Sequence, residues 1–352
     1  MSNNLNDENY YLVKDSLPWF LSNLSENENK LVYIGTSNTE ILKLKSICEN
    51  IFKINCIYLF PEIDSPLFSN IPPTDFNKNL RITSLMNITN FKHPKIVLLT
   101  TFKAILTKVL PLKLLNNNYL EIQIGIDVSV VEDFLIKNSY NRVETVRGYG
   151  EYAIRGDILD IYSPGNNYPL RIDLFLSKIE SIKIFDPITQ LSLRKIIKKF
   201  IYPSSEIFIN EESIENFRTN YRLLNLADDN EYYESISQGI KIQGYEKFLP
   251  LFYKDYSCLV SSIKDYKFII NENFKENLSK KFDDIKNDFL NYGNFSEAIF
   301  CRYIASPEEI IKGISKDMIN YSHVINFNHQ WTSQTKKETQ SQSSLDILKE
   351  KW

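Results

Sequence analysis

The sequence predicts an α/β protein whose parallel sheet shares the chain with a separate antiparallel α+β unit. Three observations carry this. Over residues 1–118, short apolar runs alternate with segments of helical periodicity, as expected for strands of a parallel sheet joined by helices. Over 119–200 the character changes to one helix followed by closely spaced strands with tight turns. Over 201–330 mixed helix and strand patterns return.

The elements follow in order. Apolar spacing over 12–24 predicts a helix, with Pro18 as a kink. Residues 30–35 form a continuous apolar run ending in Gly35, the signature of a buried strand. Residues 38–50 read as an amphipathic helix with Ile41, Leu42, Leu44, Ile47 and Cys48 on its apolar side. Strands are expected at 54–60 and 96–101, the latter leading into a short helix over 102–106. Residues 130–138 read as a helix with Val131, Phe134 and Leu135 inward. Residues 150–186 then read as two strand pairs. The first turns at Arg155-Gly156 and closes at Pro164-Gly165, and the second turns at Ser177-Lys178. Further on, helices are expected at 212–221 and at 231–238 before Gly239, with strands at 268–270 and 323–327. Residues 331–352 are rich in Gln, Ser, Thr and Lys and read as a disordered tail.

At 352 residues the chain is long enough for two or three domains, and 43% hydrophobic with 24% charged residues is a globular balance. A net charge of −3 supplies no global attraction to nucleic acid. The four cysteines, Cys48, Cys56, Cys258 and Cys301, form no Cys-x-x-Cys pair and read as reduced thiols. The polar, acidic start is unlike a signal peptide, and no apolar run approaches the roughly 20 residues that cross a bilayer. A soluble cytoplasmic protein without membrane contact is expected.

The run Gly150-Glu151-Tyr152-Ala153-Ile154-Arg155-Gly156-Asp157-Ile158-Leu159-Asp160-Ile161-Tyr162, closed by Pro164-Gly165, is long and irregular. It is followed by Leu170-Arg171-Ile172-Asp173-Leu174-Phe175 and by Ile179-Glu180-Ser181 leading to Phe185-Asp186 and Gln190. Together these resemble the UvrB-interaction domain of bacterial transcription-repair coupling factors (Mfd) and of UvrB. Flanking segments resemble the coupling factors in the same order. They are Pro61 to Pro66, Asn79 to Leu85 (Arg81 included), Ile201 to Glu206, and Gly244-Tyr245-Glu246-Lys247-Phe248-Leu249-Pro250-Leu251-Phe252-Tyr253. Where that family has a Tyr, this chain has Leu67-Phe68. The resemblance spans about residues 10–330.

The resemblance implies an N-terminal part of a coupling factor, made of four segments. Residues 1–118 and 201–330 are two halves of one α/β domain, degenerate relative to a helicase-type domain. Residues 119–200 are an inserted UvrA-interaction domain, and 331–352 form the tail. It implies a non-catalytic adaptor that recruits UvrA by mimicking UvrB, with RNA polymerase and DNA engaged only indirectly through C-terminal parts of the family. No Gly-Lys dipeptide occurs, so no Walker A loop is present; the strand-to-helix turn at Gly35-Thr36-Ser37-Asn38-Thr39-Glu40 has no lysine and one glycine. No cofactor is therefore expected. The chain reads as the product of a split, frameshifted or truncated gene, or as an expressed fragment. The alternatives are one half of a split DNA-dependent ATPase or translocase, or a decayed remnant.

By the same resemblance, Arg155, Arg171 and Phe175 are the residues that grip UvrA. Residue chemistry agrees in part. Arg171 and Phe175 are an even number apart and share one face of a strand, and arginine beside an exposed aromatic suits an interface. The alternative is that the arginines pair internally, with Glu180 or Asp173, and that Phe175 is core. Lys178 stands where the family often has an acidic turn. No catalytic constellation emerges. His93, His323 and His329 lack metal-type spacing, and Asp228-Asp229, Asp283-Asp284 and Glu308-Glu309 read as solvated helix ends. The basic run over 195–200 reads as a strand whose lysines face water, with DNA-backbone contact as the alternative.

Overall fold

The computed structural model describes residues 8–13, 15–54, 56–67, 69–90, 95–224, 230–292, 297–314 and 318–323. The first stretch runs β1 (Glu8–Leu12), α1 (Leu17–Asn27), β2 (Lys30–Gly35), α2 (Asn38–Asn50), β3 (Ile57–Phe60), α3 (Asp75–Asn90), β4 (Ile96–Thr101), α4 (Phe102–Leu106) and β5 (Lys108–Val109). Leu12 ends a strand and does not start a helix. Pro18 lies in the first turn of α1, where its missing N–H costs nothing, so it begins the helix and does not kink it. The boundaries of α2 are as expected, and Ser37 caps it by accepting from the Glu40 amide. Ile41, Leu44 and Cys48 are buried, whereas Leu42 and Ile47 face solvent; the apolar stripe is narrower than the sequence implied.

α3 was not legible as a helix. Its buried face carries Asn77, Asn79, Arg81, Ser84 and Asn87 beside Ile82, Leu85 and Met86, which hides the apolar periodicity. Ser84 donates to the Leu59 carbonyl, and Asn77 Nδ2 donates to the Glu62 carbonyl at 2.8 Å.

The middle unit comprises β6 (Leu120–Gln123), α5 (Val128–Lys137), β7 (Asn141–Arg142), β8 (Glu151–Arg155), β9 (Ile158–Tyr162), β10 (Leu170–Phe175), β11 (Lys178–Phe185), β12 (Ser192–Ile196) and β13 (Lys198–Ile201). Strands β7 to β12 lie side by side in chain order in one sheet, and β6 pairs with β13. Every pairing from β8 to β12 is antiparallel. α5 packs Val131 and Leu135 against Leu159, Ile161, Leu170, Ile172 and Ile182 on one face of this sheet. The basic run is two strands broken at the exposed Ile197, with Lys198 paired to Glu121 at 2.6 Å.

The chain then forms α6 (Glu211–Leu223), α7 (Asn230–Ser237), a 3-10 segment (Tyr245–Leu251), β14 (Ser257–Cys258), α8 (Leu259–Ser262), β15 (Lys267–Asn271), α9 (Phe274–Tyr292), α10 (Glu297–Tyr303), α11 (Pro307–Ile314) and β16 (Met318–His323). The last strand precedes the position expected for it, and residues 324–352, the expected tail included, lie outside the described residues. Asp283-Asp284 sits in the middle of α9, not at a helix end. Glu308 and Glu309 open α11, where carboxylates complement the helix dipole.

β1, β16, β15, β2, β4 and β3 form a six-stranded sheet in that order, with every pairing parallel. Strands from both sides of the middle unit thus interleave in one sheet. Alternate residues of the central strands serve its two faces. Leu31, Tyr33, Val97, Leu99 and Ile269 pack under α1 and α2, while Val32, Ile34, Leu98, Phe268 and Ile270 pack against the other helices. The fold is therefore mixed α/β, a parallel sheet with separate antiparallel sheets. Arg81 fastens the second stretch to the first. Only 2% exposed, it bonds the Glu206 carboxylate through Nε at 2.5 Å and Nη2 at 3.3 Å. Nη1 reaches the Pro61 carbonyl at 2.9 Å, and the guanidinium lies over the Phe60 ring.

Candidate interaction face on the antiparallel sheet

The face of the sheet opposite α5 carries the sequence-predicted site. On β10, Leu170 and Ile172 are buried in the core, and Arg171, Asp173 and Phe175 alternate with them. The β8–β9 and β10–β11 turns lie at the same end of the sheet. Gly156 takes φ +59° in the first, and Leu176 and Ser177 take φ +49° and +62° in the second. Two consecutive left-handed residues make the two-residue hairpin loop that suits strand twist, at some steric cost for a leucine. The turn is therefore Leu176-Ser177, one residue earlier than expected. It is held by the Val128 amide, which donates to the Ser177 carbonyl at 2.8 Å. Phe175 is 62% exposed and Leu176 81% exposed, so this end presents an apolar tip to solvent.

Both arginines converge on Asp160, a carboxylate with no solvent exposure on β9 between β8 and β10. Arg155 reaches it through Nη2 at 2.6 Å. Arg171, its direct cross-strand neighbour, makes a fork to it through Nε at 2.8 Å and Nη2 at 2.9 Å. Arg171 also donates through Nη1 to the Gln190 carbonyl at 2.9 Å and stacks on the Phe185 ring at 4.4 Å. The bond to Asp160 raises the Arg171 pKa, opposed by partial burial. Internal pairing is thus present, but through Asp160. Asp173 instead bonds Lys183 and Ser181; burial raises its carboxyl, and these bonds outweigh that and leave it lowered. Gln190 is held by its own loop, since Asp186 caps the Ile188 and Thr189 amides and Gln190 Nε2 donates to the Val146 and Pro187 carbonyls.

Sequence reasoning named Arg155, Arg171 and Phe175 and missed Asp160, Gln190 and Phe185. An available signal was Asp160 itself, an acid inside the apolar run Ile158-Leu159-Asp160-Ile161, where an unpaired carboxylate would cost heavily.

Residues 119–207 match the family model of the UvrB interaction domain. The chain is also similar to transcription-repair-coupling factors. That of Rickettsia bellii is 32% identical over 271 residues, covering 76% of this chain and 24% of that protein. That of Rickettsia prowazekii is 33% identical over 281 residues, covering 77% and 24%. That of Escherichia coli is 28% identical over 195 residues, covering 53% and 17%. The chain spans about a quarter of the length of the first of these relatives. The match covers about three quarters of this chain, consistent with an N-terminal part of such a factor.

The Gly35 turn has a distinct internal arrangement. The Glu40 carboxylate accepts from the Thr36 amide at 2.7 Å, the Thr36 hydroxyl at 2.6 Å and the Tyr33 hydroxyl at 2.5 Å. Both Thr36 donors are thus turned to a side-chain carboxylate and away from any bound anion. Burial, then Tyr321 and Glu40, push the Tyr33 hydroxyl well above its ordinary range. Among the described residues no group of three or more His, Cys, Asp or Glu is placed to hold a metal ion. His93, His329 and Asp228-Asp229 lie outside the described residues. Among the described residues, no helix is long and apolar enough to cross a membrane.

Proposed function

We propose that this chain is a non-catalytic adaptor of transcription-coupled nucleotide excision repair that recruits UvrA by presenting a UvrB-like face. The observation that carries this reading is the exposed Arg155 and Phe175 at one end of a sheet within the matched UvrB interaction domain. An arginine beside a large exposed aromatic is the composition of an interface hot spot. Arg171 belongs to the same charged group. In this reading RNA polymerase and DNA are engaged only indirectly, through other parts of a coupling factor.

The flanking α/β halves act as a scaffold, degenerate relative to a helicase-type domain. Two features support an adaptor without ATP chemistry: the sequence has no Gly-Lys pair, and Glu40 engages the Thr36 amide and hydroxyl in the Gly35 turn. The test is co-precipitation of purified UvrA with the whole chain, with UvrB added as competitor. Capture of UvrA that excess UvrB displaces is expected. No capture, or capture that UvrB leaves untouched, overturns the proposal.

A further inference from the structure

Within the proposed UvrA-binding role, on which this inference rests, we infer that Arg155 is the arginine that touches the partner, and that Asp160 is a positioning residue that, with Arg171, holds it in place. The two arginines differ in what they have left to offer. Arg171 has 16% of its side chain exposed. Its three guanidinium nitrogens are all engaged, Nε and Nη2 on Asp160, and Nη1 on the Gln190 carbonyl. Nη2 also approaches Gln190 Oε1 at 3.4 Å, and one face of the plane is covered by Phe185. Four of its five N–H donors are spent inward, so it cannot offer a fork to an incoming carboxylate without releasing Asp160 or Gln190.

Arg155 is 47% exposed and touches Asp160 through Nη2 alone. Among the described residues its Nε and Nη1 carry no hydrogen bond. Two guanidinium groups share one carboxylate, so one positive charge is left over, and it resides on the arginine that faces solvent. A buried carboxylate at one end of Arg155 fixes a long side chain before the partner arrives, which reduces the ordering cost of binding. Phe175 stands at the same end of the sheet and supplies the apolar half. The partner surface that fits is an acidic group next to an apolar pocket.

The experiment is a fluorescence-anisotropy titration of UvrA against the full chain. The variants are Arg155→Ala, Asp160→Asn, Arg171→Gln, and each of the last two combined with Arg155→Ala. All three single variants are expected to weaken binding about tenfold or more, as truncated anchors do. Asp160→Asn or Arg171→Gln added to Arg155→Ala should change affinity less than twofold, because both act through Arg155. Raising salt should weaken the wild-type chain and Asp160→Asn more steeply than Arg155→Ala, which a role in folding alone would not produce. If Asp160→Asn loses its cooperative melt, the Arg171→Gln cycle decides, since the amide retains a donor for Asp160. Multiplying effects in the double variants, or Arg171→Gln weakening a chain that already lacks Arg155, overturns the inference and leaves the adaptor reading intact. Wild-type affinity in Arg155→Ala likewise overturns the inference alone. No binding by the wild-type chain overturns the adaptor reading, and this inference with it.

Discussion

Replacing Arg81 by alanine is expected to destabilise the chain more than any single surface change. The guanidinium is 2% exposed and Glu206 12% exposed. Removing the cation leaves the carboxylate largely buried without its main partner, frees the Pro61 carbonyl, and uncovers one face of the Phe60 ring. Breaking a buried pair in this way costs about 3–5 kcal/mol. For the α/β part this corresponds to a fall in melting temperature of roughly 6–20 °C, at roughly 2–4 °C per kcal/mol. The assay is urea and thermal unfolding followed by circular dichroism. The double variant Arg81→Met with Glu206→Leu removes both charges and keeps the volume, so it should regain most of the loss. A shift below about 1 kcal/mol in Arg81→Ala, or a double variant as unstable as the single one, would refute the buried-pair argument.

Three further outcomes are expected. Isothermal calorimetry with Mg-ATP should give no saturable heat, because the Gly35 turn has no lysine and Glu40 holds both Thr36 donors; a stoichiometric isotherm would revive the enzyme reading. Gly244 sits at φ +81°, and an added Cβ would lie 2.6 Å from the Asn70 carbonyl oxygen, so Gly244→Ala should cost about 2 kcal/mol or more in urea unfolding; a change within about 0.5 kcal/mol would contradict the close approach. Burial, with Lys78 nearby, lowers the Lys241 pKa from 10.5 to about 8. The folded chain therefore holds this proton less tightly than the unfolded one, so the charged lysine opposes folding in full below pH 8, and the penalty fades as pH rises toward 10.5. Lys241→Met should stabilise at pH 7 by about 1–3 kcal/mol and by progressively less above pH 8; a gain independent of pH would show that the ammonium is not the cause.

Elements with a strong local apolar run or period were legible from sequence, and α3, whose buried face mixes polar and apolar residues, was not. β2, β4 and α2 follow directly from runs such as Leu31 to Ile34 and from the spacing of Ile41, Leu44 and Cys48. α3 escaped because its inward face carries Asn77, Asn79, Arg81, Ser84 and Asn87, and Asn77, Arg81 and Ser84 meet carbonyls or a carboxylate distant in sequence, which no local period reveals. α1 was placed too early because Leu12 fits a helical period equally well and is claimed by a parallel partner from the far end of the chain, β16. The candidate site was legible as positions, since the motif locates Arg155, Arg171 and Phe175. Its wiring was not. That Arg171 faces Asp160 and not Glu180 is a matter of strand register, set by the pairing of β9 with β10.

The central claim is that this face binds UvrA, and a titration of UvrA against the purified chain and its Arg155→Ala, Phe175→Ala and Lys264→Ala variants tests it most directly. Lys264 is exposed and lies outside the matched domain. Saturable binding by the wild-type and Lys264→Ala chains is expected, with each site variant weaker by about 2 kcal/mol, or roughly thirtyfold. Four chains of equal affinity, all folded by circular dichroism, would contradict it.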